Sequence, residues 1–401
     1  MEILVNFTIL FLGLMSVCYA QTTTIDPGST NETKTITIGF LAPDDTTVYR
    51  LVRFNGGAMT VAVRDVNRNP DLLPGYELKF RYMDTHGNEE GSIRALTDLW
   101  RNGNVAFIGP GLTCTTEAKV SAALNLPMIS YFCKEPAVSD KENYRTFART
   151  VPTTEKVAES VLALLDQFDW KVISVVAARD PQFSRVMTRL EKFLPLHGVR
   201  VQHALSYENP YYPMYPIKDN RLKDIIDQSF ADTRIYVFIP AEPYELHAFL
   251  EDLGEKGLLN DGKYFVVAIF FKIFDETFRE GLIRGFDYPA ENITQRIQYL
   301  HNVIMLFYTS VMSPDYNEFK IEAKEYLSLP PFNFNSTLLE GEGFHIEITE
   351  DAAYIYDAVM LYANALNQTL SEGGNITNGA DIIDNILGKP YQNSLEKSVT
   401  F

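Results

Sequence analysis

The 401-residue sequence predicts an α/β protein of two lobes, each built on a mainly parallel sheet with helices on both faces. Three observations carry this. Strand-like runs alternate with helix-like periods from Thr35 to the end. The stretch Val105–Cys133 reads as strand, glycine turn, helix, strand, which is a complete βαβ unit. A second βαβα series begins near Phe147 with no Ser/Gly-rich linker before it.

In chain order, TITIGFLA (Thr35–Ala42) is a first strand. Met59, Ala62, Val63 and Val66 then recur at helical spacing, and Asn69-Pro70 stops that helix. YELKFRYM (Tyr76–Met83) alternates as a strand, and Ser92–Trp100 is a helix. Val-Ala-Phe-Ile is a short apolar run, as a strand buried on both faces requires. Gly109-Pro110-Gly111 breaks it, Thr113, Thr115 or Thr116 can cap the next helix, and Pro127–Phe132 enters the next strand.

The second series predicts helices over Glu155–Phe168, Arg185–Leu194, Leu222–Phe230 and Pro243–Leu253. They alternate with strands over Lys171–Ala177, Val199–Ser206, Arg234–Ile239, Tyr264–Phe271 and Val303–Ser310. Tyr316–Leu327 is a further helix, and Ile355, Ala358, Val359, Tyr362 and Leu366 line one face of a long one, Ala352–Leu366. These series divide the chain into 35–145 plus 310–388 as a first lobe and 146–309 as a second, with 389–401 returning toward the second. YENPYYPMY (Tyr207–Tyr215) reads as either a recognition loop or a packed surface loop.

The cysteines bound the compartment. Met1–Ala20 reads as a secretory signal, although its head carries Glu2 and no basic residue; residues 21–34 read as a flexible tail. Cleavage removes Cys18 and leaves Cys114 and Cys133, an isolated pair that reads first as one disulfide and second as two buried thiols. Sequons at Asn31, Asn292, Asn335, Asn367 and Asn375 agree with an extracellular chain. No mature apolar run reaches the roughly 20 residues of a membrane span. The formal charge of −17 argues against nucleic acid and anionic membrane surfaces as partners.

Catalytic signatures are missing: the sequence has no P-loop, GxGxxG, GxSxG or HExxH, and its six histidines are scattered. No catalytic residue, metal or cofactor is therefore expected. The candidate ligand site is a cleft at strand ends. Gly109, Pro110 and Gly111 form a turn at a strand's carboxyl end, where open α/β sheets hold ligands. Asp84 and Asp180 each follow a strand, where closing a turn is the plainer role. Thr113, Ser130 and Tyr131 offer hydroxyls.

With these pieces in place, TITIGFLAPD, AVRDVNRNPDLLPGYELKFRYMDTHG, FIGPGLTC, PMISYFCKEPAVSDK, YRTFARTVPT, TRIYVFIPAEPYE, EYLSLPPFNF and AAYIYDAVMLYANALNQTL occur in order. Over roughly residues 35–392 the chain resembles the extracellular ligand-binding region of invertebrate receptor guanylate cyclases, related to natriuretic-peptide receptors. The resemblance implies a type I periplasmic-binding-protein-like fold with a cleft between the lobes, and homodimerisation through helices of the first lobe. It also implies a first short-range disulfide at Cys114 and Cys133, and an extracellular peptide as ligand. It implies cyclic GMP synthesis by a parent whose membrane, kinase-homology and cyclase regions are not among these residues. The family's closing strand is replaced by SLEKSVTF. A second reading is a small-molecule, amino-acid-like binding module of the same fold.

Overall fold

The computed structural model describes residues 33–44, 51–208, 221–271, 276–284, 293–307, 314–334, 348–349, 351–391 and 399–400. Two five-stranded sheets organise Thr35–Phe401. The first holds β1 (Lys34–Ala42), β2 (Tyr76–Asp84), β3 (Phe107–Ile108), β4 (Met128–Ser130) and β5 (Phe147–Arg149), in the order β2-β1-β3-β4-β5. The second holds β6 (Val172–Arg179), β7 (Arg200–Glu208), β8 (Ile235–Ile239), β9 (Phe265–Phe270) and β10 (Val303–Phe307), in the order β10-β9-β8-β6-β7, all parallel. Counted within its own series, each sheet has the order 2-1-3-4-5. That doubly wound order places a ligand crevice outside the carboxyl ends of the strands, where first and third strands part. The two lobes repeat a topology although the sequence holds no exact repeat.

The central strands are buried on both faces, and their side chains sort by parity. In β8, Tyr236 and Phe238 join one core while Ile235, Val237 and Ile239 join the other. In β9, Val266, Ala268 and Phe270 face the first of these cores and Val267 and Ile269 the second. The first sheet does the same: Ile36, Ile38, Phe40 and Ala42 of β1 face one core, and Leu41 faces another with Leu99, Phe107 and Ala118.

Helix Gly57–Arg68 lies on the first sheet, crossed by Pro314–Tyr326 and Asp351–Ser371. Gly57 permits the first crossing, because a Cβ there would sit 1.8 Å from the Ala323 carbonyl oxygen. The returning segment is tied in elsewhere. Gly379 donates to the Asn125 carbonyl, and the Asn55 side chain bonds both the Thr349 hydroxyl (2.7 Å) and its backbone N–H (3.0 Å). The last strands, β11 (Pro390–Tyr391) and β12 (Val399–Thr400), pair with each other and stand apart from both sheets. Among the described residues no helix is long and apolar enough to cross a membrane.

Several elements differ from their sequence reading for local reasons. The helix expected from Arg185 starts at Pro181: Asp180 caps it, accepting from Gln182 N–H at 2.8 Å, and proline suits the first helical position. The helix expected over Ser92–Trp100 runs Glu89–Arg101, capped by Asn88. Tyr207 belongs to β7 and is buried, with its hydroxyl donating to Glu245 at 2.7 Å, whereas 209–215 lie outside the described residues. Of the sequons, Asn375 is exposed in a turn. Asn367 lies within Asp351–Ser371, its amide accepting from Leu73 N–H and donating to the Asp71 carbonyl, with Thr369 buried beside it. Asn31, Asn292 and Asn335 fall outside the described residues.

Candidate ligand cleft

A cleft of about 600 Å³ opens among the loops at the carboxyl ends of the strands. Gly87 and Glu89 follow β2, Leu112–Thr115 follow β3, Phe132–Glu135 follow β4 and Thr154 follows β5. Gln182 and Arg185 come from the start of Pro181–Leu196, after the first strand of the second sheet. Both lobes therefore contribute to its lining.

The first-lobe wall is built in layers. Cys114 and Cys133 form a disulfide with Cα atoms 6.0 Å apart, joining the start of helix Thr115–Ala123 to the loop after β4. Ser130, fully buried, donates to the Pro110 carbonyl at 3.1 Å and accepts from Cys133 N–H at 3.0 Å, so one hydroxyl braces both loops. Arg149 holds the far side of the loop: it donates to the carbonyls of Cys133 (3.2 Å) and Glu135 (2.7 Å) and to the Ser139 hydroxyl. Burial pushes its guanidinium down to about 10. Lys141 donates to the Phe147 carbonyl, and burial, reinforced by Arg149, pushes its ammonium down to about 8.

No threonine side chain caps helix Thr115–Ala123. Cys114 occupies that position without a side-chain hydrogen bond. The Thr113 hydroxyl donates instead to the Glu117 carboxylate and lies 3.0 Å from the Ser92 hydroxyl. Glu117 is fully buried, its Oε2 has no protein partner, and burial raises its pKa despite these hydroxyl groups. Thr113 thus joins the buried Glu117 carboxyl group to the cleft lining.

The eight cleft residues expected from sequence take different places. Thr113 lines the cleft. Gly109 and Pro110 form the buried turn behind it; Gly109 has φ +112, and a Cβ there would meet the Leu41 carbonyl oxygen at 2.3 Å. Gly111 is buried in the same turn. Ser130 braces, as above. Tyr131 is fully buried, donates to the Leu41 carbonyl at 3.2 Å, and its pKa is raised by burial. Asp84 closes a turn, its Oδ1 accepting from the N–H groups of Asp44 (2.9 Å) and His86 (2.8 Å). Asp180 caps a helix. Sequence reasoning missed the rest of the lining: Gly87, Glu89, Leu112, Phe132, Lys134, Glu135 and Thr154 on the first-lobe side, and then Gln182 and Arg185. The Asp180-Pro181 pair was the available signal for the last two, since it starts the helix early enough to aim its first turns at the cleft. Among the described residues no group of His, Cys, Asp and Glu could hold a metal ion.

Comparison with known proteins agrees with this architecture. The family model "Receptor family ligand binding region" matches residues 55–400. Guanylate cyclase 32E of Drosophila melanogaster is 31% identical over 369 residues, covering 90% of this chain and 28% of that protein. The resact receptor of Arbacia punctulata is 28% identical over 372 residues, covering 86% of this chain and 37% of that protein. The chain thus spans about a quarter to two-fifths of the length of these relatives. An ABC transporter substrate-binding protein from Desulfitobacterium hafniense, solved in complex with Leu, superposes with a TM-score of 0.56 at 16% identity, over 92% of this chain and 93% of that one. That likeness establishes the type I periplasmic-binding-protein-like fold.

Proposed function

Since this chain belongs to the family of receptor ligand-binding regions, we propose that it is the extracellular, peptide-binding part of a receptor guanylate cyclase. The parent protein converts binding into cyclic GMP synthesis. The observation that carries this reading is the cleft lined by both lobes at the carboxyl ends of their strands. A ligand bridging the lobes shifts their closure by the difference in its affinity for the open and closed states. Thr113 and the neighbouring Cys114–Cys133 loops form the fixed wall, and Gln182 and Arg185 the opposing one. The working division is 35–145 plus 310–388 against 146–309.

The same reading places the mature chain outside the cell, after removal of residues 1–20, with Asn375 as the more accessible of the two described sequons. A homodimer through first-lobe helices follows from the resemblance, and Trp100 on Glu89–Arg101 leaves apolar surface exposed there. A binding screen of the secreted chain against peptides and free amino acids, run beside a mass measurement in solution, tests the proposal. Peptides that bind while amino acids do not support it; binding of amino acids alone moves the chain to the small-molecule class.

A further inference from the structure

Two aromatic rings from different sheets flank one cation, Lys134, which lines the cleft together with Phe132. Phe132 follows β4 of the first sheet, and Phe271 follows β9 of the second. The Lys134 ammonium lies 5.3 Å from the centre of the Phe132 ring and 5.1 Å from that of Phe271. Both distances fall within the range at which a ring face attracts a cation. Phe271 is 9% exposed and packs against Phe183 at 5.7 Å, so its ring is held in place.

The backbone that presents Lys134 is fixed. Its neighbour Cys133 is in the disulfide, Arg149 holds the carbonyls on either side of it, and its own carbonyl accepts from Thr154 N–H. The side chain, with four rotatable bonds, is the adaptable part. Glu135 shares the lining, Asp351 interacts electrostatically with Lys134, and the whole chain carries −17. The lining itself carries both signs, Glu89 and Glu135 beside Lys134 and Arg185, and the net negative charge of the whole chain draws cations toward it.

We propose that the Phe132–Phe271 ring pair is a ligand subsite for a primary alkylammonium group, such as a lysine side chain or free amino terminus of a peptide, and that Lys134 is its internal occupant, displaced when ligand binds. The proposal rests on reading the cleft as the ligand site. It adds a consequence: because the rings belong to the two lobes, exchanging a tethered cation for a ligand's couples occupancy to lobe position. The tethered cation lowers the apparent affinity by the fraction of time it fills the site.

The test uses the full secreted chain with an environment-sensitive fluorophore on Gln182→Cys. The probes are n-butylammonium, which copies the lysine side chain, and neutral n-butanol. Lys134→Met keeps length and apolar stem but removes the cation, and should bind n-butylammonium roughly tenfold tighter than the parent, with n-butanol unchanged. Adding Phe271→Leu should abolish that gain. Lys134→Arg, whose guanidinium refills the rings, should behave as the parent does. Lys134→Gln serves if Lys134→Met melts early. If both probes move the reporter alike in every variant, the cleft takes ligands but the ring pair is no cation subsite, and this inference falls alone. If neither probe, nor any peptide from the binding screen, moves the reporter, the cleft reading falls with it.

Discussion

Each lobe places a buried glutamate at the third position of the helix that follows its third strand. In the first lobe it is Glu117, in helix Thr115–Ala123 after β3; in the second it is Glu245, in helix Pro243–Glu255 after β8. Both are fully buried, and in each one carboxylate oxygen is hydrogen-bonded while the other has no protein partner. A carboxylate at a helix start satisfies orphan N–H groups and suits the helix dipole. The difference lies in the partners. Glu245 accepts from the Tyr207 hydroxyl (2.7 Å) and the N–H groups of Ala241 (2.7 Å) and Glu242 (3.3 Å), all internal to its lobe. Glu117 is bound by Thr113, which faces the cleft. One structural device stays internal to its lobe in one case and reaches the cleft lining in the other.

The comparison breaks most strongly at the disulfide, a crosslink described only in the first lobe. Replacing Cys114 and Cys133 by serine should cost about 3 kcal/mol, the value for a loop of this length. Hydrogen exchange should accelerate around β3 to β5 and leave β6 to β10 protected. Equal acceleration in both sheets would mean that the lobes unfold as one unit. The next largest effect concerns the returning segment. Gly57→Ala drives a methyl into the Ala323 carbonyl, so helix Pro314–Tyr326 must shift. A cost of about 1–3 kcal/mol follows, read as a lower urea midpoint with the second lobe's protection unchanged. A neutral result would show that this crossing has slack.

The smallest effect sharpens the pair of glutamates. Burial raises both pKa values above the ordinary 4.5, so each folded state binds its proton more tightly than the unfolded chain does. The ionised forms therefore weaken the fold near neutral pH. That penalty is relieved as pH falls through the raised folded values, and relief is complete near 4.5. Glu117→Gln and Glu245→Gln should each flatten this part of the stability–pH curve, measured by melts at pH 7.5 and 4.5. Only Glu117→Gln should also change ligand binding, because only Glu117 holds a cleft residue. Identical binding in both variants would sever the link through Thr113.

The alternation of strand and helix was legible because periods of two and 3.6 are imprinted locally. In β8 and β9 every second residue goes to the same core, as an apolar strand between two helical layers demands. The Cys114–Cys133 pairing was read first, ahead of two buried thiols, from an isolated pair left once an expected secretory signal is removed. Strand-end residues were harder to place. Asp84 and Asp180 looked able to face a cleft, yet nearby backbone N–H groups claimed both carboxylates, since Asp closes turns and caps helices over two or three residues. Ser130 and Tyr131 carry hydroxyls that the fold uses internally, on the carbonyls of Pro110 and Leu41.

By itself, then, the sequence determined the α/β class, the two series and the family motifs, and favoured the disulfide, because each is written in residues close together or in composition. Tertiary structure alone decided which side chains share the cleft. Gln182 and Arg185 meet the Cys114–Cys133 loops, and Lys134 meets Phe271, only because the carboxyl ends of two separately wound sheets approach one another. That approach is set by crossover geometry and the packing of whole layers, and no local pattern of residues encodes it.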